Sequence, residues 1–113
     1  MLPFLLPSSG NPMSISLSPP VFSESISTAS GSTSGSVSVT VTGGQSPYTY
    51  SWSNVGGSQD ISAGSPSSDT TDFDYSFGYY GFHSSVFEVE VTDNIGQTQT
   101  DRVVVTLIFG EGL

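Results

Sequence analysis

From residue 37 onward, apolar side chains recur at every second position, and that spacing leaves few folds open to the chain. Val37, Val39 and Val41 alternate with Ser and Thr, and Tyr48, Tyr50 and Trp52 repeat the spacing. The pattern returns at Phe73, Tyr75 and Phe77, at Phe87, Val89 and Val91, and at Val103, Val105 and Leu107. Successive side chains of an extended chain point to opposite faces, so a period of two marks strands with one buried and one solvated face. Turn chemistry separates these runs at Gly43-Gly44-Gln45-Ser46-Pro47, Gly78-Tyr79-Tyr80-Gly81 and Asp93-Asn94-Ile95-Gly96. Gly, Asn and Asp tolerate the positive φ of tight turns, and Pro presets its own φ. Six to eight strands at a spacing of roughly 8–12 residues predict a sandwich or barrel. No segment has helical periodicity, and no internal repeat points to a solenoid or propeller.

The first third of the chain is less regular. Residues 1–12 form an apolar N-terminal arm whose Pro3, Pro7 and Pro12 exclude a helix and favour an extended path. Met13 to Ser18 alternates as a strand, Pro19-Pro20 interrupts it, and alternation resumes from Phe22 to Ile26. A first strand broken by proline suits a sandwich edge, where its halves can join different sheets and need not donate to a neighbour. Residues 27–35 and 54–69 read as loops, apart from a short apolar point at Ile61. The resulting division is an arm at 1–12, a sandwich at 13–109 and a tail at 110–113.

Composition sets the limits on function. The chain of 113 residues suffices for one core and contains no cysteine, so neither a disulfide nor a thiolate metal site supports it. Ten Asp and Glu against the single Arg102 give a net charge of -9. Phosphate backbones and anionic membranes are bound through Lys and Arg, so neither nucleic acid nor membrane is an expected partner. The opening Met1-Leu2-Pro3-Phe4-Leu5-Leu6-Pro7 lacks the positive side chain and the run of about 7–15 apolar residues of an export signal. It is also far short of the ~20 residues that span a bilayer.

Three segments resemble immunoglobulin-like domains of the polycystic-kidney-disease (PKD) type. Ser46-Pro47-Tyr48-Thr49-Tyr50-Ser51-Trp52 is similar to the strand that places a tryptophan in the core of those domains. Phe87-Glu88-Val89-Glu90-Val91-Thr92-Asp93 followed by Gly96 resembles their hairpin, and Arg102-Val103-Val104-Val105-Thr106 their closing strand. The resemblance spans about residues 36–109. It implies an antiparallel immunoglobulin-like β-sandwich of about seven strands, of the kind that serves as spacer and interaction module in surface proteins and bacteriophage virions. Trp52-Ser53-Asn54-Val55-Gly56-Gly57 stands where the PKD pattern has Trp-Asp-Phe-Gly-Asp-Gly, so no role of those aspartates carries over.

Individual side chains narrow the function further. Trp52 and Tyr50 are expected in the core, where a large aromatic contributes about 1.5–3 kcal/mol by burial. Asp69, Asp72 and Asp74 are the calcium candidates, but three carboxylates at this spacing do not supply the six to eight oxygens the ion requires. His83, the only histidine, has neither a nucleophile elbow nor companion zinc ligands in the sequence. Glu88 and Glu90 sit two apart on one strand face and read as a solubilising pair. No catalytic, cofactor or metal role is therefore expected. Tyr79, Tyr80 and Phe82, flanked by glycines, have the composition of a binding loop. Leu2, Phe4, Leu5 and Leu6 would make a sticky exposed tail and are expected to dock, preferably on a neighbouring subunit.

Two functional expectations follow. In the first, the chain is a structural protein of a bacteriophage virion, a capsid decoration or tail-associated protein. It is assembled in the host cytoplasm and binds viral structural proteins, or further copies of itself, through its arm and an edge strand. In the second, it is a sugar- or protein-binding module of a bacterial surface or secreted protein, in which the aromatic loop contacts a glycan or another protein.

Overall fold

Ten strand segments carry the described part of the chain, residues 12–110 of a computed structural model, and no helix occurs among these residues. In order they are β1 (Ser14–Ser18), β2 (Val21–Ile26), β3 (Ser30–Ser32), β4 (Val37–Thr42) and β5 (Thr49–Gly57). They continue with β6 (Ile61–Ala63), β7 (Thr70–Thr71), β8 (Phe73–Ser76), β9 (Gly81–Thr92) and β10 (Thr98–Phe109). One layer is the four-stranded sheet β2-β10-β9-β5. The other consists of two three-stranded sheets, β1-β4-β7 and β3-β8-β6. Thr33 joins these two end to end: its N–H donates to Phe73 O at 2.8 Å, and its Oγ1 accepts from Phe73 N at 3.1 Å.

The expectation of about seven strands meets ten segments because three strands are interrupted. Pro19-Pro20 separates β1 from β2, residues 33–36 separate β3 from β4, and Asp72 separates β7 from β8. The proline break acts as the sequence suggested. β1 pairs antiparallel with β4 in one layer, and the chain then crosses so that β2 pairs with β10 in the other. That second pairing is parallel, Val21 opposite Val104 through Ile26 opposite Phe109, so the sandwich is not wholly antiparallel. The strand keeps its direction as it changes sheets, and β4 and β10 run in opposite directions past it. Two presumed loops also contain strands. Ser30–Ser32 pairs with β8, and β5 runs on to Gly57 before β6. Neither shows alternation, because Ser and Gly carry no apolar signal.

Both layers contribute to one core. Phe73 is fully buried between Phe22 and Phe87, with ring centroids 5.3 and 5.0 Å away. Val37 and Ile61 from one layer meet Val89, Val105 and Leu107 from the other. Trp52 is 4% exposed, so the expectation of a core indole holds. Its Nε1 donates to Ser68 O at 2.7 Å and its backbone N to Pro66 O at 2.9 Å. The segment 65–68 thereby shields part of the free edge of β5, where unpaired N–H groups would otherwise invite a foreign strand.

The sandwich has two distinct ends. At one, Asp93 of the 93–97 hairpin lies against Gly44, and Asn94 N donates to Gln45 O at 2.8 Å. Met13 is buried beneath Gly44, so the described chain enters here. At the other end β10 finishes with Phe109 opposite Gly81, and Gly110 N donates to Ile26 O at 3.2 Å. We call these the hairpin pole and the aromatic pole.

Candidate interaction site

The aromatic pole is an outward continuation of the core. Phe77 follows β8, is buried, and anchors its backbone by donating from N to Ala29 O at 2.7 Å. His83 stacks on the Phe77 ring at 3.7 Å and 8°, and Tyr75 stacks on Phe77 at 5.4 Å and 18°. Tyr79 leans on His83 at 4.6 Å, and Tyr80 leans on Phe109 at 4.5 Å. The outer rings are thus supported on one side only. Tyr79 is 65% exposed, Tyr80 54% and Phe82 74%. Large aromatics held by a rigid base offer contact area at small entropic cost, the property interfaces select. No Asp, Glu or Arg occurs in residues 75–87 or 103–110, so this end of an acidic chain carries no side-chain charge from those segments.

The three aromatics expected on one loop occupy two neighbouring surfaces. Tyr79 and Tyr80 sit on the loop, whereas Phe82 and His83 already belong to β9. Phe82 lies opposite Ile108 and projects from the outer face of the four-stranded sheet. Further along that face, exposed Val21 and half-buried Val86 flank exposed Val104 in one row. Val55, at the bulge of β5, extends it. Sequence reading singled out Val103, Val105 and Leu107 as the inner face and passed over this outer one. The available signal was three consecutive valines at 103–105, which place apolar groups on both faces of a strand. The remaining partner candidates, Leu2, Phe4, Leu5 and Leu6, lie outside the described residues.

The other chemical candidates are dispersed. Asp72 and Asp74 both face Gly64, and Asp74 Oδ1 accepts from Ser32 Oγ at 2.6 Å. Asp69 instead faces Tyr50, whose hydroxyl is pushed above its ordinary value by burial first, then by Asp69 and Tyr48. Among the described residues no group of three or more His, Cys, Asp or Glu gathers as a metal site would require. His83 is buried in the core end, and its Nε2 lies 2.9 Å from Tyr79 O. A carbonyl only accepts, so Nε2 carries the proton, and the ring serves as a bracket for the loop. Glu88 accepts from Arg102 Nε at 3.1 Å in an exposed pair, while Glu90 faces solvent. Such surface pairs contribute ~1 kcal/mol at most.

Comparison with known proteins adds one finding. The family model described as the SprB repeat matches residues 30–57. That stretch runs from β3 through β4 to the end of β5 and includes the Tyr48 to Trp52 segment. Together with the all-β sandwich it fits an immunoglobulin-like repeat of bacterial surface proteins. It favours the surface-protein expectation over the virion one and gives no support to the narrower PKD-type resemblance. No match was found among curated proteins.

Proposed function

We propose that the chain is a non-catalytic interaction module of a bacterial surface or secreted protein, which engages another protein through its aromatic pole. The observation that carries this reading is the pair of exposed Tyr79 and Tyr80 rings, leaning on buried His83 and Phe109, with exposed Phe82 on the adjoining sheet face. The match of residues 30–57 to the SprB repeat supports the bacterial-surface setting. A protein partner suits the site better than a glycan, because the rings stand out from the fold and no cavity occurs among the described residues. Small-molecule sites are usually concave clefts.

The test is attachment of the labelled chain to bacterial cells before and after protease treatment of those cells, compared with the Tyr79→Ser/Tyr80→Ser variant. A hot-spot aromatic costs about 2 kcal/mol when truncated, or roughly thirtyfold in affinity. Bound label should therefore fall at least ~10-fold, with the melting temperature little changed. Attachment that survives both the substitutions and the protease would reject the reading, and attachment blocked by neutral oligosaccharides would replace the protein partner with a glycan.

A further inference from the structure

We propose that copies of this chain associate head to tail, the apolar segment 1–11 at the hairpin pole of one copy seating on the aromatic pole of the next. This rests on the reading of the aromatic pole as an interaction surface and names its partner as a second copy. The described chain enters at the hairpin pole, where Met13 packs under Gly44, and its last strand ends at the aromatic pole. The two poles are separated by the 12-residue strands β9 and β10, about 36 Å end to end at ~3.3 Å per step.

Reach decides which copy's segment can cover the aromatic pole. Leu2, Phe4, Leu5 and Leu6 stand six to ten residues before Pro12. Fully extended, they extend only about 20–36 Å from it. Phe4, Leu5 and Leu6, which extend about 29 Å at most, therefore fall short of the Tyr79 and Tyr80 rings of their own copy. The aromatic pole of a second copy placed over the hairpin pole is within easy reach.

The contacting segments themselves are uncharged. Copies with a net charge of -9 repel, and contact costs least where acids are missing. Segment 1–11, residues 75–87 and residues 103–110 have no acid and no arginine, although Asp60, whose O accepts from Ser76 N at 3.2 Å, and Glu111, next in sequence after Gly110, adjoin the aromatic pole. Exposed Ile95 at the tip of the 93–97 hairpin adds an apolar contact on the same side as the segment. The two surfaces are different and lie at opposite ends, so the contact is heterologous and propagates instead of closing into a symmetric dimer.

Sedimentation velocity on the whole 113-residue chain, from ~1 µM to ~1 mM, tests this. Wild type should show concentration-dependent growth beyond the dimer. Deletion of residues 1–11, Leu5→Asp/Leu6→Asp, and Tyr79→Ser/Tyr80→Ser should each leave a folded monomer by circular dichroism. An equimolar mixture of the deletion with the tyrosine variant should form a dimer and nothing larger, because each supplies the surface the other lacks. A wild type that stays monomeric throughout, or a mixture that fails to pair, would overturn the proposal. If wild type is monomeric while the tyrosine variant still loses attachment to cells, head-to-tail association fails and the surface-module reading stands.

Discussion

Asp93 shows how much one side chain can organise. Its carboxylate is buried at the hairpin pole, where Oδ1 accepts from Ile95 N at 3.1 Å and Gln97 N at 2.7 Å. Oδ2 accepts from Gln97 Nε2 at 2.7 Å and Gln45 N at 3.1 Å. Burial works to raise its pKa, but the bonds from Gln97, Gln45 and Ile95 together outweigh burial and hold it below the ordinary carboxylate value. A group depressed in this way stabilises the fold only while ionised. Its contribution is complete above the unfolded value of about 3.9 and is lost as pH falls through the lower folded value. The urea midpoint should therefore decline on acidification below about pH 4, and Asp93→Asn should flatten that decline. An unchanged slope would show that other carboxylates dominate acid unfolding. The turn itself was legible as Asp93-Asn94-Ile95-Gly96. Its bond to Gln45, 48 residues away, was not, because no local pattern records which loops meet.

Among the elements, β5 illustrates the difference between a turn glycine and a packed one. Its pairing with β9 shifts between Asn54 and Gly56, and Gly57 then adopts φ +80°. A Cβ at Gly57 would run into Ser84 O and come within 2.9 Å of Ser85 Cα, both rigid parts of β9. Gly96 has φ +95° but open space around it. Alanine at Gly96 should cost about 1 kcal/mol from backbone strain alone, and alanine at Gly57 about 3 kcal/mol or more because strain and collision add. Urea denaturation of both variants separates the two terms, and equal costs would remove the collision. The strands with clean alternation, β4, β9 and β10, were readable in advance. The short segments β3 and β7 were not, since Ser-Gly-Ser and Thr-Thr become strands only through their neighbours β8 and β4.

Over the whole molecule, charge is the dominant long-range term. With ten acids and a single arginine, the folded chain concentrates like charge that the unfolded chain spreads out. Salt shortens the screening length from about 30 Å at 0.01 M to about 3 Å at 1 M. The melting temperature should rise on adding ~0.5 M sodium chloride, and ~1 kcal/mol of relief corresponds to roughly 4 °C or more in a domain of this size. A flat response would mean that the acids lie too far apart to interact.

Period-two alternation, turn residues and the paired prolines determined from sequence alone that this is a β-sandwich with a buried indole and a first strand shared between sheets. These are local properties, set by backbone geometry and by which side chains avoid water. The tertiary structure decided the parallel β2–β10 pairing, the end-to-end joining through Thr33, and the placement of the aromatic loop at the pole opposite the entry of the chain. Each of these depends on contacts between residues distant in sequence, which packing fixes and alternation does not encode.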